Sequence, residues 1–165
     1  MDAEAFADEV ADLHLRLVRV TYLLCGDAGL AEECAQEALL RAWERSRRGE
    51  AVDSLAGWTT TVALNACRSA LRRRSAETRA LGRLPRVREA VDPTPVGEAD
   101  EVHAAVLALP PRQREVVVLH YFCDLDVAAI AAHAGLSTGA VKNALFHARA
   151  ALATRLGAAV PEEAP

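Results

Sequence analysis

Aromatic residues are scarce in this chain, only 4% of it, and lysine occurs once, at position 142. No apolar run reaches the length needed to span a bilayer. Alternation of Val, Ile, Thr and aromatic residues over several positions is hard to find, which argues against strands. Alanine is abundant instead. It is the best helix former, and small side chains suit helices that approach closely. Apolar residues make up 52% of the chain, enough to bury a core and too many for a disordered acidic tail. The expected fold class is all-α, and 165 residues suit one domain of usual size or two small ones.

Chemical signatures are missing as well. There is no paired-carboxylate motif, no Ser-His-acid set and no glycine-rich phosphate loop, so an enzyme is not expected. None of the four cysteines forms a CxxC pair. Cys25, Cys34, Cys67 and Cys123 each fall inside a predicted helix among apolar neighbours and read as buried free thiols. His120 and Cys123, one helical turn apart, make at most half a metal site, and no second pair at helical spacing completes it. No metal or cofactor is expected. The acidic start (Asp2, Glu4, Asp8, Glu9) is unlike a signal peptide, which begins positively charged. A cytoplasmic location is the expectation.

The net charge of −4 conceals a strong asymmetry. Residues 1–40 carry nine acids against two bases, residues 41–90 twelve arginines against five acids, and residues 91–165 nine acids against five bases. A basic block of that density usually meets nucleic acid or a membrane surface, although a solvated face is the plainer alternative.

Apolar periodicity predicts a first helix over about 6–25, with Leu13, Leu17, Val20 and Leu24 on one stripe. Asp27 suits the cap of a second helix reaching about Arg48, with Leu30, Cys34, Ala38 and Ala42 inward and Leu39 and Trp43 beside them. Ser54 suits the cap of a third helix through about Arg74, with Leu55, Trp58, Val62 and Ala66 toward the core. From 75 to 100 the pattern decays into a proline-containing, mixed-charge stretch that reads as a linker. Beyond it come a short helix over 98–109, another over 112–122 after Pro110-Pro111, one over 127–133, and a Ser137-capped helix following the turn at Gly135. Two helices joined by a tight glycine turn describe a helix-turn-helix, or any helical hairpin.

Three outward stripes stand out. On the second helix, Glu33, Gln36, Glu37, Leu40 and Glu44 form either a solvated acidic face or an apolar anchor ringed by charge, as in protein interfaces. On the third, Thr61, Asn65, Arg68 and Arg72 share a face and run into Arg73 and Arg74. That combines phosphate-binding guanidiniums with groups suited to base edges. Trp58, one turn upstream, is either core or a stacking platform, and its place on the apolar stripe favours core. On the last helix, Lys142, Asn143, Phe146, His147 and Arg149 lie on an edge that would face the major groove of DNA, or only water.

Taken together, the segments resemble bacterial RNA polymerase sigma factors of the extracytoplasmic-function (ECF) group. AEECAQEALLRAW at 31–43 is similar to their polymerase-binding helix, and GWTTTVALNACRSALRRR at 57–74 to the adjoining promoter-melting helix. LPPRQREVVVLHYFCDLDVAAIAAHAGLSTGAVKNALFHARAAL at 109–152 resembles their −35-reading domain. The resemblance implies region 2 over 1–74, a linker over 75–100 and region 4 over 101–165. It implies core RNA polymerase as partner, with Glu33, Gln36, Glu37 and Leu40 on the β′ clamp and further contact to β. It places the −10 element against Arg48, Ser54, Thr61, Asn65, Arg68, Arg72 and Arg73, with the loop 48–54 capturing a flipped base. It places the −35 element against Ser137, Thr138, Lys142, Asn143, Phe146, His147 and Arg149. Promoter DNA is thus the second partner, and the family admits an anti-sigma protein as a third, although no residue here identifies one. Where the family's recognition helix usually reads Gly-Thr-Val-Lys-Ser-Arg, this chain has Gly139-Ala140-Val141-Lys142-Asn143-Ala144. A hydroxyl and an arginine are lost, which implies fewer backbone contacts there. A stand-alone helix-turn-helix regulator is the alternative, and it leaves the Arg-rich third helix and the Gln-Glu pair without a role.

Overall fold

In a computed structural model, residues 3–82 and 98–157 are described, with side chains from 10 to 82 and from 101 to 157. They form two compact units. The first holds α1 (Ala3–Cys25), α2 (Ala28–Arg47) and α3 (Leu55–Ala80), and the second α4 (Glu98–Leu107), α5 (Pro111–Val117), α6 (Val127–Ala134) and α7 (Thr138–Leu156). No strand occurs among the described residues.

The three helices of the first unit pack against one another through small residues. Ala31, Ala35 and Ala38 of α2 and Ala63 of α3 are buried, so backbones come close and Leu13 and Leu17 of α1 fill the space between them. Thr21 is buried without penalty, because its Oγ1 lies 2.8 Å from Leu17 O and 3.1 Å from Ala31 O. That second contact ties α1 to α2. The turn between them uses Gly26 at φ 67°, and Asp27 then caps α2, its Oδ1 accepting from Leu30 N–H at 2.9 Å. Ser54 caps α3 in the same way, accepting from Gly57 N–H at 3.1 Å.

Three expectations for this unit are corrected. The buried face of α3 is Thr59, Ala63, Leu64, Cys67 and Ala70, about one residue out of phase with the expected Leu55, Trp58, Val62 and Ala66. Close helix contact selects small residues, and Leu55 and Val62 pack on the flanks of the core instead. Thr59 tolerates burial because its hydroxyl donates to Leu55 O at 2.7 Å. On α2, Trp43 is 52% exposed and Ala42 only half-buried. Further, α3 runs six residues past Arg74 into the expected linker. Apolar periodicity fades there, but Ser75–Ala80 holds helix formers and no breaker before Gly82 at φ 58°. The rest of that linker, 83–97, lies outside the described residues, as do 1, 2 and 158–165.

In the second unit, α5 starts with Pro111 in its first turn, where a missing N–H costs nothing. It continues into a π-helical turn, Val118–Phe122, that re-aims the side chains after Leu119. His120 Nδ1 lies 2.9 Å from Leu125 O and Leu125 N–H donates to Leu119 O at 3.1 Å, closing the loop into α6. Asp126 caps α6, Gly135 ends it at φ 65°, and Ser137 caps α7. Val141, Ala144, Leu145 and Ala148 of α7 face the core with Val116–Leu119 and Ile130. This is a helix-turn-helix carried on α4 and α5.

Candidate functional site

The outer face of α2 carries Glu33, Gln36, Leu40 and Glu44 in the open, with Glu37 half-buried among them. Leu40 is 54% exposed. Gln36 Nε2 donates to Glu32 Oε1 at 3.0 Å, and Glu32 in turn meets His14 Nε2 of α1 at 2.9 Å. Arg41 Nε donates to Glu37 Oε1 at 2.7 Å across one helical turn. A surface pair of this kind contributes about 0.3–0.5 kcal/mol, so a partner can exchange it at little cost. The expected stripe is therefore one continuous acidic surface around a single apolar anchor.

The loop from Arg48 to Ser54 rims an open groove of about 550 Å³. Its walls are Val10 of α1, Leu39 and Trp43 of α2, and Leu55 and Trp58 of α3. The Arg45 guanidinium lies over the Trp58 ring, 5.5 Å from its centre, so this indole is a groove wall rather than core. Glu50 collects two arginines, Arg48 Nε at 3.0 Å and Arg45 Nη1 at 3.5 Å. Sequence reasoning missed the groove. The signal for it is a tryptophan on each of the two helices that flank one loop.

Along α3, Thr61, Asn65, Arg72 and Arg73 are exposed and Arg68 is half-buried, one face continued by a basic end. Arg74 turns away from it, its Nη1 meeting Asp27 Oδ2 at 2.9 Å, and serves the packing of α3 on the α1–α2 turn. The hydroxyls on this side have fixed polarity. Thr61 donates to Gly57 O at 3.0 Å and keeps only acceptor capacity, whereas Ser54 accepts from Gly57 N–H and keeps its proton to donate.

On α7, Ser137, Thr138, Lys142, Asn143, Phe146, His147 and Arg149 are all exposed. Ser137 accepts from Ala140 N–H at 3.1 Å and retains its own proton. The rings of Phe146 and His147 stand edge to face, 5.4 Å apart. Arg149 Nε donates to Tyr121 Oη at 2.7 Å, and its guanidinium sits 5.9 Å from that ring. Tyr121, half-exposed in the π-helical turn, was not singled out from the sequence. It comes 28 residues before Arg149, so the pair meets only in the folded unit.

Two of the expected buried thiols, Cys25 and Cys123, are instead half-buried, because each lies at a helix end. Among the described residues no helix is long and apolar enough to cross a membrane.

Comparison with known proteins places both units. The family model for sigma-70 region 2 matches residues 10–77, and that for sigma-70 region 4 matches residues 99–152. The ECF RNA polymerase sigma factor SigL of Mycobacterium tuberculosis is 33% identical, over 82% of this chain and 80% of SigL. SigF of Caulobacter vibrioides, also an ECF RNA polymerase sigma factor, is 32% identical over 94% and 87%. SigG of M. tuberculosis is 35% identical over 81% of this chain, which spans only 44% of that longer relative. Among solved structures, the sigma factor RpoE of Bartonella quintana, crystallised with the anti-sigma factor NepR, shares the fold. The TM-score is 0.67 at 22% identity, covering 94% of this chain and 98% of that one.

Proposed function

Because the chain belongs to the ECF RNA polymerase sigma factors, we propose that it binds core RNA polymerase and directs initiation at a defined set of promoters. Its residues contribute binding and strand separation, and phosphodiester chemistry stays with the polymerase. Its place of work is the cytoplasm, beside the polymerase.

The observation that carries this reading is the division of labour within the first unit. The α2 face offers an acidic ring around Leu40, and the α3 face offers Asn65, Arg68, Arg72 and Arg73. Opposite charge on neighbouring helices suits simultaneous binding of a basic protein surface and a polyanion. Glu33, Gln36, Glu37 and Leu40 dock on the β′ clamp, with β as a further contact. A base flipped from the −10 element enters the groove under Arg48–Ser54 and stacks on the indole walls, an interaction worth about 1–3 kcal/mol per base. Thr61, whose hydroxyl only accepts, faces a base amino group, and the α3 arginines hold the opened strand's phosphates. In the second unit, Ser137, Thr138, Lys142 and Arg149 hold phosphates of the −35 element. Asn143 and His147 lie toward base edges, with Phe146 packing against the groove wall. In this reading region 2 covers 1–74 and continues with α3 to Ala80, and region 4 covers 101–165. An anti-sigma protein is a further partner, by analogy with the RpoE–NepR pair.

The test compares the lone chain with reconstituted holoenzyme. With only five bases in residues 91–165, the free chain should bind duplex promoter weakly and without sequence preference. Specific binding should appear on adding core polymerase. A tight, sequence-specific shift by the chain alone would instead favour a stand-alone regulator.

A further inference from the structure

Three of the four cysteines belong to the first unit. Cys25 is the last residue of α1, Cys34 lies in the second turn of α2, and Cys67 sits midway along α3. Cys67 is fully buried, and its Sγ lies 3.9 Å from Thr21 O, the carbonyl one turn before Cys25. Two residues beyond Cys25, Asp27 holds Arg74, which is two turns beyond Cys67 on α3. The end of α1 is thus anchored to α3 on both sides of these two sulfurs, with the Cys67 Sγ reaching the last turn of α1, the turn that ends in Cys25.

Their environments differ. Cys25 is half-buried, and its Sγ receives the Asp27 N–H at 3.4 Å. The neighbouring Cys67 thiol, helped by the Asp27 backbone and the Arg74 guanidinium, holds Cys25 below the ordinary thiol value against the opposing effect of burial. Contact with Cys25 and burial push Cys67 up, and burial pushes Cys34 up. A half-buried sulfur held below the ordinary thiol value beside an enclosed one pushed above it is the arrangement of an attacking and a resolving cysteine.

We propose that Cys25 and Cys67 form a reversible dithiol site whose substrate is hydrogen peroxide. The Cys25 thiolate attacks one peroxide oxygen, the O–O bond breaks, and Cys25 becomes a sulfenic acid while hydroxide leaves and is protonated to water. The Cys67 sulfur then attacks the Cys25 sulfur. The S–O bond breaks, and the Cys67 proton leaves with the hydroxyl as a second water. Two thiols are oxidised to one disulfide and one peroxide is reduced to two waters; a small-molecule thiol reverses the change by exchange. The bond joins α1 to α3 next to Arg68, in the middle of the proposed strand-holding face.

The test treats the reduced chain with a small excess of hydrogen peroxide, blocks remaining thiols with iodoacetamide, and maps the unreduced digest by mass spectrometry. The expected product is the Cys25 peptide joined to the Cys67 peptide, lost again with dithiothreitol. Cys34→Ala should give the same product. Cys67→Ala should leave a Cys25 sulfenic acid that dimedone traps, provided circular dichroism shows the helices intact. The wild-type and Cys34→Ala arms decide the matter even if Cys67→Ala does not fold. A bond from Cys34 or Cys123 as the main product, terminal oxidation of wild-type Cys25 without a bond, or four alkylated unreacted cysteines would each overturn the proposal.

Discussion

Replacing Asp27 tests how the first unit is held together and which arginines are left for DNA. The carboxylate does two things: Oδ1 caps α2 through Leu30 N–H, and Oδ2 holds Arg74 of α3. Loss of an aspartate N-cap costs about 1 kcal/mol. The ion pair involves an Asp27 side chain that is 13% exposed and an Arg74 side chain that is 41% exposed. Discounted for solvent screening, it adds about 0.5–1 kcal/mol. Asp27→Ala should therefore destabilise the unit by about 1.5–2 kcal/mol, and a domain of this size loses roughly 4–8 °C of melting temperature per kcal/mol. Asp27→Asn keeps a good cap and loses only the charge, so it should match Arg74→Ala at about 0.5–1 kcal/mol. Thermal unfolding followed by circular dichroism at 222 nm measures all three, with the order Ala at 27 worst and the other two alike. If Asn at 27 proves as costly as Ala, the capping argument fails. Should Arg74→Ala abolish promoter opening as fully as loss of Arg72 and Arg73, then Arg74 belongs to the DNA face and its pairing with Asp27 is incidental.

Glu37→Lys reverses charge within the docking stripe, where like-charge placement costs several kcal/mol, so pull-down of core polymerase should fail. Arg72→Ala with Arg73→Ala should leave that pull-down intact and reduce permanganate-reactive thymines near −10; a pre-melted bubble should restore the double variant and not Glu37→Lys. Trp43→Ala, which removes an exposed groove wall, should weaken single-stranded −10 binding by about 1–3 kcal/mol without loss of core binding. Tyr121→Phe removes the hydroxyl that holds Arg149 and should weaken holoenzyme binding to −35 duplex in the wild-type background, with no further effect once Arg149 is Ala. An additive double variant would show that the tyrosine does not act through the arginine.

Elements built on large periodic side chains were legible in the sequence. Leu13, Leu17, Val20 and Leu24 of α1 are buried as their spacing implies, and the caps Asp27, Ser54 and Ser137 lie where short polar side chains precede apolar runs. The face of α3 was misread because hydropathy weights Trp58 and Val62 above Ala63, Cys67 and a satisfied Thr59, while close helix packing selects the small ones. The end of α3 was misread for a related reason: 75–80 retains helix propensity after its apolar period has gone. Stripes such as Glu33–Gln36–Glu37–Leu40 and Thr61–Asn65–Arg68–Arg72 are local properties of one helix, so spacing suffices to find them. The Trp43–Trp58 groove, the Tyr121–Arg149 bond and the turning-in of Arg74 need three-dimensional neighbours that lie far apart along the chain.

Multi-round run-off transcription from a library of randomised promoter sequences, using core polymerase reconstituted with this chain, tests the central claim most directly. Transcribed templates should share a −35 and a −10 element at fixed spacing, and transcription should require both core enzyme and the chain. Glu37→Lys should abolish the signal. Transcribed templates without a shared element pair, or the same set recovered when the chain is omitted, would contradict assignment of promoter selection to these two helical units.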